Sequence, residues 1–242
     1  MLQLQDFRIP RWFRTDSSTP WELHIFCDAS ERAYAAVAYV VHQLPGQEVS
    51  AHLVAAKTKV SPIKVISTPR LELCAALLGT KLLKQCLNNL KAKPESFFMW
   101  SDSKVVLDWL RGHPSKWKTF VANRVSEIIF VAPASKWHHV STEQNPADCA
   151  SRGLSPAELK AKDLWWNGPK DLLNSCFGKL KPKTDVEPTS LEKKERTSLL
   201  LATNIPSELN YLAKHSSLSK IIEFSPIASG GGNPLTDVTM VT

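Results

Sequence analysis

Three consecutive strand-like stretches constrain the fold of this 242-residue chain more than any other feature. They cover residues 22–29, 32–42 and 49–60, and each is rich in β-branched or small apolar residues. Leu44-Pro45-Gly46-Gln47 predicts a turn between the second and the third. Because the gaps between the stretches are short, we expect the strands to pair antiparallel as hairpins.

Helices and strands alternate after these hairpins. Thr68 is the predicted N-cap of a long helix, with Pro69 at its first position and its end near Leu90. The remaining predicted elements are a strand over 96–101, helices over 103–110 and 116–129, a strand over 136–140, and a short helix that begins at Asn145-Pro146. The order β-β-β-α-β-α-α-β-α predicts an α/β fold, in which helices cover the faces of a mixed sheet.

Four acidic residues lie in four separate segments of this pattern: Asp28, Glu72, Asp102 and Asp148. Four carboxylates gathered at one place would repel each other strongly. Such a cluster makes sense when it binds divalent cations, and hard oxygen ligands suit Mg²⁺. Two Mg²⁺ ions held ~3.5–4 Å apart can activate a water molecule and stabilise the leaving oxygen of a phosphodiester.

The local setting of each acid favours an inward carboxylate. Asp28 ends the first strand, and Asp102 follows a buried strand at the carboxyl edge of the sheet, a common ligand site. Asp148 lies near a helix N-terminus, whose dipole keeps a carboxylate ionised. Glu72 shares a helix face with small residues, which would let that face approach the sheet closely.

The charge distribution points to a polyanionic partner. The net charge is +7, and residues 49–126 contain thirteen Lys and Arg against four Asp and Glu. A solvated, lysine-rich face is the alternative interpretation of such a surplus. Beside an acidic metal site, cations that position a phosphate backbone become the better interpretation.

The composition indicates an intracellular protein, cytoplasmic or nuclear and not secreted. The five cysteines form no CxxC pair, and most lie among apolar residues, as expected of free thiols in a reducing compartment. Neither a signal peptide nor an apolar run near ~18 residues is present, so no membrane association is expected.

The predicted domain organisation has four parts. Residues 1–20 are expected to form a linker, and residues 21–156 the α/β domain. Residues 157–178 form a Trp-rich extension predicted to pack on that domain. Residues 179–242 have the composition of a largely disordered tail, with one or two helical turns near 207–214.

Short motifs surround the three aspartates: Cys-Asp-Ala-Ser, Ser-Asp-Ser and Asn-Pro-Ala-Asp. With the order of the four acids, these motifs resemble the ribonuclease H domain of retroelement reverse transcriptases. The stretches at residues 23–30, 120–125 and 164–169 are most similar to the BEL/Pao group of LTR retrotransposons. The resemblance covers about residues 5–173 and implies a ribonuclease H-like fold with a five-stranded mixed sheet and flanking helices.

The resemblance also implies an activity, the hydrolysis of the RNA strand of RNA–DNA hybrids with two Mg²⁺ ions, or with Mn²⁺. Carried over residue by residue, Asp28, Glu72, Asp102 and Asp148 would be the catalytic metal ligands. Contacts to the nucleic acid backbone are expected near the catalytic aspartates and, as weaker candidates, on the helix after residue 116: Ser30, Ser103, Asn123 and Arg124.

One departure from the family concerns a histidine. Many ribonucleases H have one in the loop after the last strand, where it helps product release. Here that loop is Ser141-Thr142-Glu143-Gln144, and His138 and His139 fall within the strand. His139 and Glu143 are therefore minor candidates for a catalytic role.

Other enzymes of such polyproteins lack a signature here. The chain contains no Asp-Thr/Ser-Gly triplet of an aspartic protease and no Asp-Asp pair of a polymerase site. We therefore expect one piece of a longer polyprotein, whose reverse transcriptase domain would be its partner. The alternatives are a non-catalytic or domesticated nucleic-acid-binding remnant, and a fold whose acids lie more than ~10 Å apart, wider than a two-metal site.

Overall fold

The computed structural model describes residues 20–43, 48–169 and 189–194, and in them a five-stranded sheet of order β3-β2-β1-β4-β5. The strands are β1 (Trp21–Ala29), β2 (Ala33–Gln43), β3 (Val49–Val60), β4 (Ser96–Ser101) and β5 (Trp137–His139). β1, β2 and β3 pair antiparallel, whereas β4 runs parallel to β1 and β5 parallel to β4. The predicted mixed α/β sheet is confirmed.

Six α-helices accompany the sheet within the described residues. They are α1 (Thr68–Asn89), α2 (Lys104–Arg111), α3 (Thr119–Val131), α4 (Ala147–Arg152), α5 (Pro156–Ala161) and α6 (Asp163–Asn167). Three 3₁₀ turns cover Pro114–Lys116, Ala134–Lys136 and Thr142–Gln144. The predicted element order is confirmed through α4, whereas α5 and α6 were not predicted as helices.

Two predicted helix starts are wrong by a few residues. Ser67, not Thr68, is the N-cap of α1, so Pro69 is the second helical residue. α3 begins at Thr119 and not at residue 116, because Pro114 first starts a separate 3₁₀ turn that ends at Lys116. Proline fixes its own φ near the helical value but does not determine which neighbour begins the helix. The predicted turn at residues 44–47 lies outside the described residues.

The helices α1, α2 and α3 pack on one face of the sheet. Leu23, Ile25 and Cys27 of β1 lie in this core together with Trp109 of α2 and Val125 of α3. All five are at most 1% exposed. Strand alternation explains why the odd-numbered residues of β1 face these helices, while the even-numbered ones face away.

Gly79 permits the close packing of α1 against β1. A Cβ atom at this position would lie 2.3 Å from Cys27 Sγ and 3.3 Å from Ile25 Cγ2. Such distances leave no room for a side chain, so α1 approaches β1 as closely as a bare backbone allows. The small residues on the Glu72 side of α1 therefore set the depth at which this helix lies on the sheet.

The other face of the sheet forms a second core. Phe26, Tyr39 and Trp100 lie in it with Ala147 of α4, and Trp165 of α6 packs against it. The Tyr39 hydroxyl donates to the carbonyl oxygen of Trp165 at 2.7 Å. This hydrogen bond ties α6, in the described part of the Trp-rich extension, to β2.

Contacts along the chain divide it into two units, Met1–Glu195 and Arg196–Thr242, and the described residues all belong to the first. The predicted linker and most of the predicted tail lie outside the described residues, as do the helical turns predicted near 207–214. Residues 189–194 are a described piece of that tail, and Lys193 pairs in a β-bridge with Trp117. The proposed division into four parts stays a prediction.

A search of the helices in these described ranges found none with the length and apolar character needed to cross a membrane.

Candidate active site

The parallel pairing of β1 and β4 places Asp28 beside Asp102. Cys27 is in register with Ser101, so the next residue of each chain segment lies at the same edge of the β1–β4 pair, although Asp28 still pairs with Ala35 of β2. Asp28 is 6% exposed, and Asp102 is half-buried in the bend that precedes α2. Two acids that are 74 positions apart in the sequence thus meet at the carboxyl ends of adjacent parallel strands.

Glu72 reaches this edge from the second turn of α1. The Ser103 hydroxyl donates a short hydrogen bond to Glu72 Oε2. Ser103 is also the N-cap of α2, where its side chain accepts from the backbone N–H of Val106 at 3.3 Å. One serine therefore caps α2 and ties the segment after Asp102 to the Glu72 carboxylate.

Asp148 is brought in by α4, which is fixed to the end of β1. The Asn145 side chain donates to the carbonyl oxygen of Cys27 at 3.0 Å and accepts from the backbone N–H of Ala147 at 3.2 Å. The Ser151 hydroxyl donates a short hydrogen bond to Asp28 Oδ2. These contacts hold the first turn of α4, with Asp148, against the strand that carries Asp28.

Asp28 is close enough to the other three carboxylates for their charges to affect its ionisation. Burial raises the pKa of Asp28 to about 7, and the charges of Asp102, Asp148 and Glu72 add to the rise. The hydrogen bond from Ser151 acts in the opposite direction and lowers this pKa. Asp28 thus responds to all three of the other predicted acids.

Glu72 shows the same pattern. Burial raises its pKa to about 6, with a further rise from Asp102 and an opposing effect of the Ser103 hydrogen bond. Burial also raises the pKa of the neighbouring Cys27 thiol, to which Asp28 and Asp102 contribute. Metal-free, these surroundings therefore favour the protonated forms of Asp28 and Glu72, and a cation would reverse that preference.

The side chains are not arranged as a preformed metal site. Within residues 20–43, 48–169 and 189–194, no group of three or more His, Cys, Asp or Glu is placed to hold a metal ion. Each of the four carboxylates instead accepts a hydrogen bond from a nearby donor: Ser151 to Asp28, Ser103 to Glu72, Thr142 to Asp102 and Arg152 to Asp148. The predicted ligands share one edge of the sheet, where protein donors engage them.

The predicted backbone-contact residues lie in two places. Ser30 donates to the carbonyl oxygen of Ser151 at 2.7 Å, and Ser103 donates to Glu72, so both brace the carboxylate edge. Asn123 and Arg124 lie on α3, where Asn123 is exposed and Arg124 half-buried. The structure thus places the two serines at the acids and the other two residues on a separate helix.

The histidines of β5 point to opposite faces of the sheet. His138 lies against Trp100, with ring centroids 5.2 Å apart, and burial lowers its pKa to about 4. His139, the minor catalytic candidate, is in register with Ser101, next to Asp102. Glu143 is exposed in the 3₁₀ turn that follows.

Three donors to the carboxylates were not predicted from the sequence. Thr142 donates to Asp102 Oδ2 at 3.0 Å, and Ser151 and Arg152 donate to Asp28 and Asp148. Arg152 follows Asp148 by four residues, a helical spacing that is visible in the sequence. The partners of Thr142 and Ser151 lie 40 and 123 positions away in the sequence, so only the tertiary fold reveals them.

One family model is similar to the N-terminal part of the chain. Residues 1–103 match the family model described as the Pao retrotransposon-like RNaseH-like domain. The resemblance to the Pao group that the motifs indicated is confirmed by this match. No curated protein matches the chain.

Solved ribonucleases H are similar in structure. RNase H1 from the archaeon Halobacterium salinarum NRC-1 aligns with a TM-score of 0.33 and 13% identity, over 53% of this chain and 90% of that one. The N-terminal RNase H domain of Rv2228c from Mycobacterium tuberculosis aligns with a TM-score of 0.33 and 15% identity, over 52% of this chain and 92% of that one. LC11-RNase H1, solved in complex with an RNA/DNA hybrid, aligns with a TM-score of 0.35 and 13% identity, over 53% of this chain and 91% of that one.

Proposed function

We propose that this chain is a metal-dependent endonuclease that hydrolyses the RNA strand of RNA–DNA hybrids. The observation that carries the proposal is the meeting of four acids from four separate elements at one sheet edge. There Asp28 is buried and its pKa is raised in part by each of the other three. Buried like charges destabilise a fold, so a cluster of this kind is typical of a functional site.

The donor set fits Mg²⁺ or Mn²⁺. Asp28, Glu72, Asp102 and Asp148 supply hard oxygen ligands, which these cations prefer to nitrogen or sulfur. When bound, a pair of such ions supplies an activated water molecule and charge stabilisation at the leaving oxygen. The four residues would act as ligands after turning from their present hydrogen-bond donors.

The surrounding residues hold the carboxylates in place. Ser103 and Ser151 orient one oxygen each of Glu72 and Asp28. The Ser103 hydroxyl is itself fixed by the backbone N–H that Val106 donates to it. The burial of Asp28 excludes water from that carboxylate and strengthens its interaction with a cation.

The family match over residues 1–103 and the surplus of basic residues support this substrate class. Between residues 49 and 126, Lys and Arg exceed Asp and Glu by nine. Such a surplus attracts a polyanion and positions its phosphates. As part of a retrotransposon polyprotein, the chain would act on hybrids made by a reverse transcriptase domain, its expected partner.

A cleavage assay tests the proposal directly. The chain is mixed with an end-labelled RNA–DNA hybrid, with Mg²⁺ or with EDTA, beside Asp102→Asn and the exposed-site control Asp163→Asn. We expect Mg²⁺-dependent cleavage of the RNA strand by the intact chain and by Asp163→Asn, and none by Asp102→Asn. If the intact chain binds the hybrid without cleaving it, the proposal is wrong and the non-catalytic remnant is the better description.

A further inference from the structure

We propose that Arg70 and Arg124, which share the ring of Phe120, form a binding site for a backbone phosphate of the nucleic acid. Glu192 of the same chain occupies this site when no nucleic acid is bound. The inference deepens the proposed function, since the identity of the polyanion rests on it. The site itself rests on contacts at the start of α1, on α3 and in residues 189–194.

Two guanidinium groups lie over the ring of Phe120. The Cζ atom of Arg70 lies 5.0 Å from the centroid of the ring, and that of Arg124 lies 3.6 Å from it. Arg124 also donates to the carbonyl oxygen of Phe120 at 3.1 Å, which fixes its position. The ring attracts both cations, and their mutual repulsion is relieved when an anion binds between or beside them.

Glu192 supplies that anion, but its carboxylate fits incompletely. Both Nε and Nη2 of Arg70 contact the same oxygen, Oε1, at 2.8 and 2.7 Å. The second oxygen, Oε2, is buried and has no hydrogen-bond partner among the described residues. In a two-oxygen fork each acceptor oxygen takes its own N–H, and a phosphate offers more acceptor oxygens than a carboxylate. The guanidinium of Arg70 is thus better matched to a phosphate than to Glu192.

The backbone at Glu192 is also in an unfavourable conformation. Its φ is 61°, and it is the only non-glycine residue with a positive φ in the described part of the chain. A residue with a Cβ rarely adopts this conformation, which is maintained only where its surroundings impose it. The surroundings here include the N–H of Lys118, which donates to the Glu192 carbonyl oxygen at 2.8 Å.

Hydrogen bonds rather than apolar burial hold residues 189–194 in place. Trp109 Nε1 donates to the carbonyl oxygen of Leu191 at 3.1 Å, and the N–H of Thr189 donates to Asp108 at 2.8 Å. The Leu191 side chain is 51% exposed. A segment with few buried apolar contacts opens at lower free energy than the core, so a competing anion can displace Glu192.

The site lies at the same end of α1 as Glu72. Arg70 precedes Glu72 by two residues, about 3 Å along the helix axis and about 200° around it, so the two side chains leave α1 on different faces. α2, which supplies Asp108 and Trp109 to the segment, begins directly after Ser103, the hydrogen-bond donor to Glu72. A nucleic acid strand bound at the carboxylates would contact Arg70 by running around the first turn of α1.

A binding measurement separates this inference from the catalytic proposal. The full chain is titrated into a fluorescein-labelled RNA–DNA hybrid in EDTA, so that no cleavage is required, and the Kd is measured by anisotropy. Glu192→Gln should bind the hybrid on the order of fivefold more tightly, because the internal competitor is lost. The matched control is Glu127→Gln, which also removes one negative charge and breaks the exposed Lys81–Glu127 pair between α1 and α3. It should change Kd by less than about twofold.

Arg70→Ala tests whether Glu192 acts through this arginine. It should weaken binding and lower the slope of log K against log salt by about 0.7–0.9, the loss of one phosphate contact. In the Arg70→Ala background, Glu192→Gln should no longer tighten binding. Thermal denaturation of each variant establishes that the protein is folded.

Several results would overturn the inference. One is that Glu192→Gln and Glu127→Gln have equal Kd values. Another is that Glu192→Gln still tightens binding in the Arg70→Ala background. The third is that no variant binds the hybrid. If the chain does not cleave hybrids but Glu192→Gln still tightens binding through Arg70, the catalytic proposal fails and the phosphate site stands.

Discussion

The two ends of β1 bury acidic side chains on the same sheet face in opposite ways. Glu22 is 3% exposed, and its Oε2 lies 3.1 Å from Nε2 of the fully buried His24. His24 Nδ1 in turn accepts from Trp100 Nε1 at 3.1 Å. At the other end, Asp28 faces Asp102, Asp148 and Glu72, whose negative charges raise its pKa.

The difference separates a stabilising polar group from a functional one. Glu22, His24 and Trp100 form a chain of matched donors and acceptors, the arrangement that buried polar groups need for stability. The carboxylates around Asp28 instead repel each other and lower the stability of the metal-free protein. A cation is the partner that would turn this second arrangement into a favourable one.

The largest expected effect is that of replacing Asp28, the buried acid at the functional end of β1. Asp28→Asn should lower Mg²⁺-dependent hybrid cleavage by roughly 10³-fold, the scale of losing a key electrostatic group. It should also raise the stability of the metal-free protein at pH 8, because one of four like charges is removed. Single-turnover cleavage and urea denaturation measure the two effects.

Glu22→Gln is the matched control on the same strand face. It also neutralises one buried carboxylate, but it should destabilise the protein and leave cleavage by the folded fraction within about twofold. If Glu22→Gln abolished cleavage as fully as Asp28→Asn, the distinction between the two ends would be wrong.

His24→Ala tests the stabilising end. Trp100 Nε1 and Glu22 Oε2 would each lose a buried hydrogen-bond partner, at a cost of about 3 kcal/mol in the free energy of unfolding. Urea denaturation measures this loss, and the exposed His52→Ala on β3 serves as the control, with about 0.5 kcal/mol or less expected. A loss below about 1 kcal/mol for His24→Ala would show that the polar chain contributes little.

The pH dependence of stability should differ between the two ends. The pKa of Asp28 is raised to about 7 in the folded state, against about 3.9 unfolded, so the unfolded state loses its proton first. The contribution of Asp28 is therefore fully present below about pH 4 and is lost as pH rises to about 7. In EDTA we expect the free energy of unfolding of Asp28→Asn to be about 2 kcal/mol higher than that of the intact chain at pH 8. Near pH 4 the two free energies should be equal.

The buried histidines His24 and His138 should change stability with pH in the opposite direction to Asp28. Burial lowers the pKa of His24, against the opposing effect of Glu22, and lowers that of His138 to about 4. Their contribution to stability is present above about pH 6.5 and is lost as pH falls through the lowered pKa of each folded-state imidazole, which for His138 is about 4. Urea denaturation from pH 4 to 8 should show His24→Ala losing less stability than the intact chain on the acid side. A parallel pair of curves would contradict this.

The smallest expected effect concerns the donors to the carboxylates. Thr142→Val removes the hydroxyl that donates to Asp102 at 3.0 Å while keeping the shape of the side chain. Because Thr142 is exposed and touches a ligand rather than the metal, we expect roughly a tenfold fall in cleavage or less. A loss equal to that of Asp28→Asn would instead place Thr142 in direct contact with the reacting groups.

Much of the fold could be predicted from the sequence because its signals are local. The strand-rich stretches predicted β1, β2 and β3, and the Thr68-Pro69 signal predicted α1 to within one residue. The helices α5 and α6 were missed because they span only six and five residues, too few for an apolar periodicity. The start of α3 was misplaced because a 3₁₀ turn and an α-helix begin with the same residue types.

The candidate site divides in the same way. The four acids were chosen from the residues that flank them, and the structure brings all four to one edge, where their role as ligands stays a prediction. The hydrogen bonds of Thr142 and Ser151 could not be predicted, because each partner lies on an element distant in the sequence. Likewise, nothing local to Glu192 indicates that it meets Arg70, 122 positions away.

By itself, the sequence determined the order of elements, the small side of α1 and the identity of the acids, since strand alternation and helix capping act over a few residues. Only the tertiary structure decided which groups meet. The parallel register of β1 and β4 set Asp28 beside Asp102, and the packing of residues 189–194 set Glu192 on Arg70. Those meetings depend on how whole elements pack, a balance of many weak contacts that no local pattern encodes.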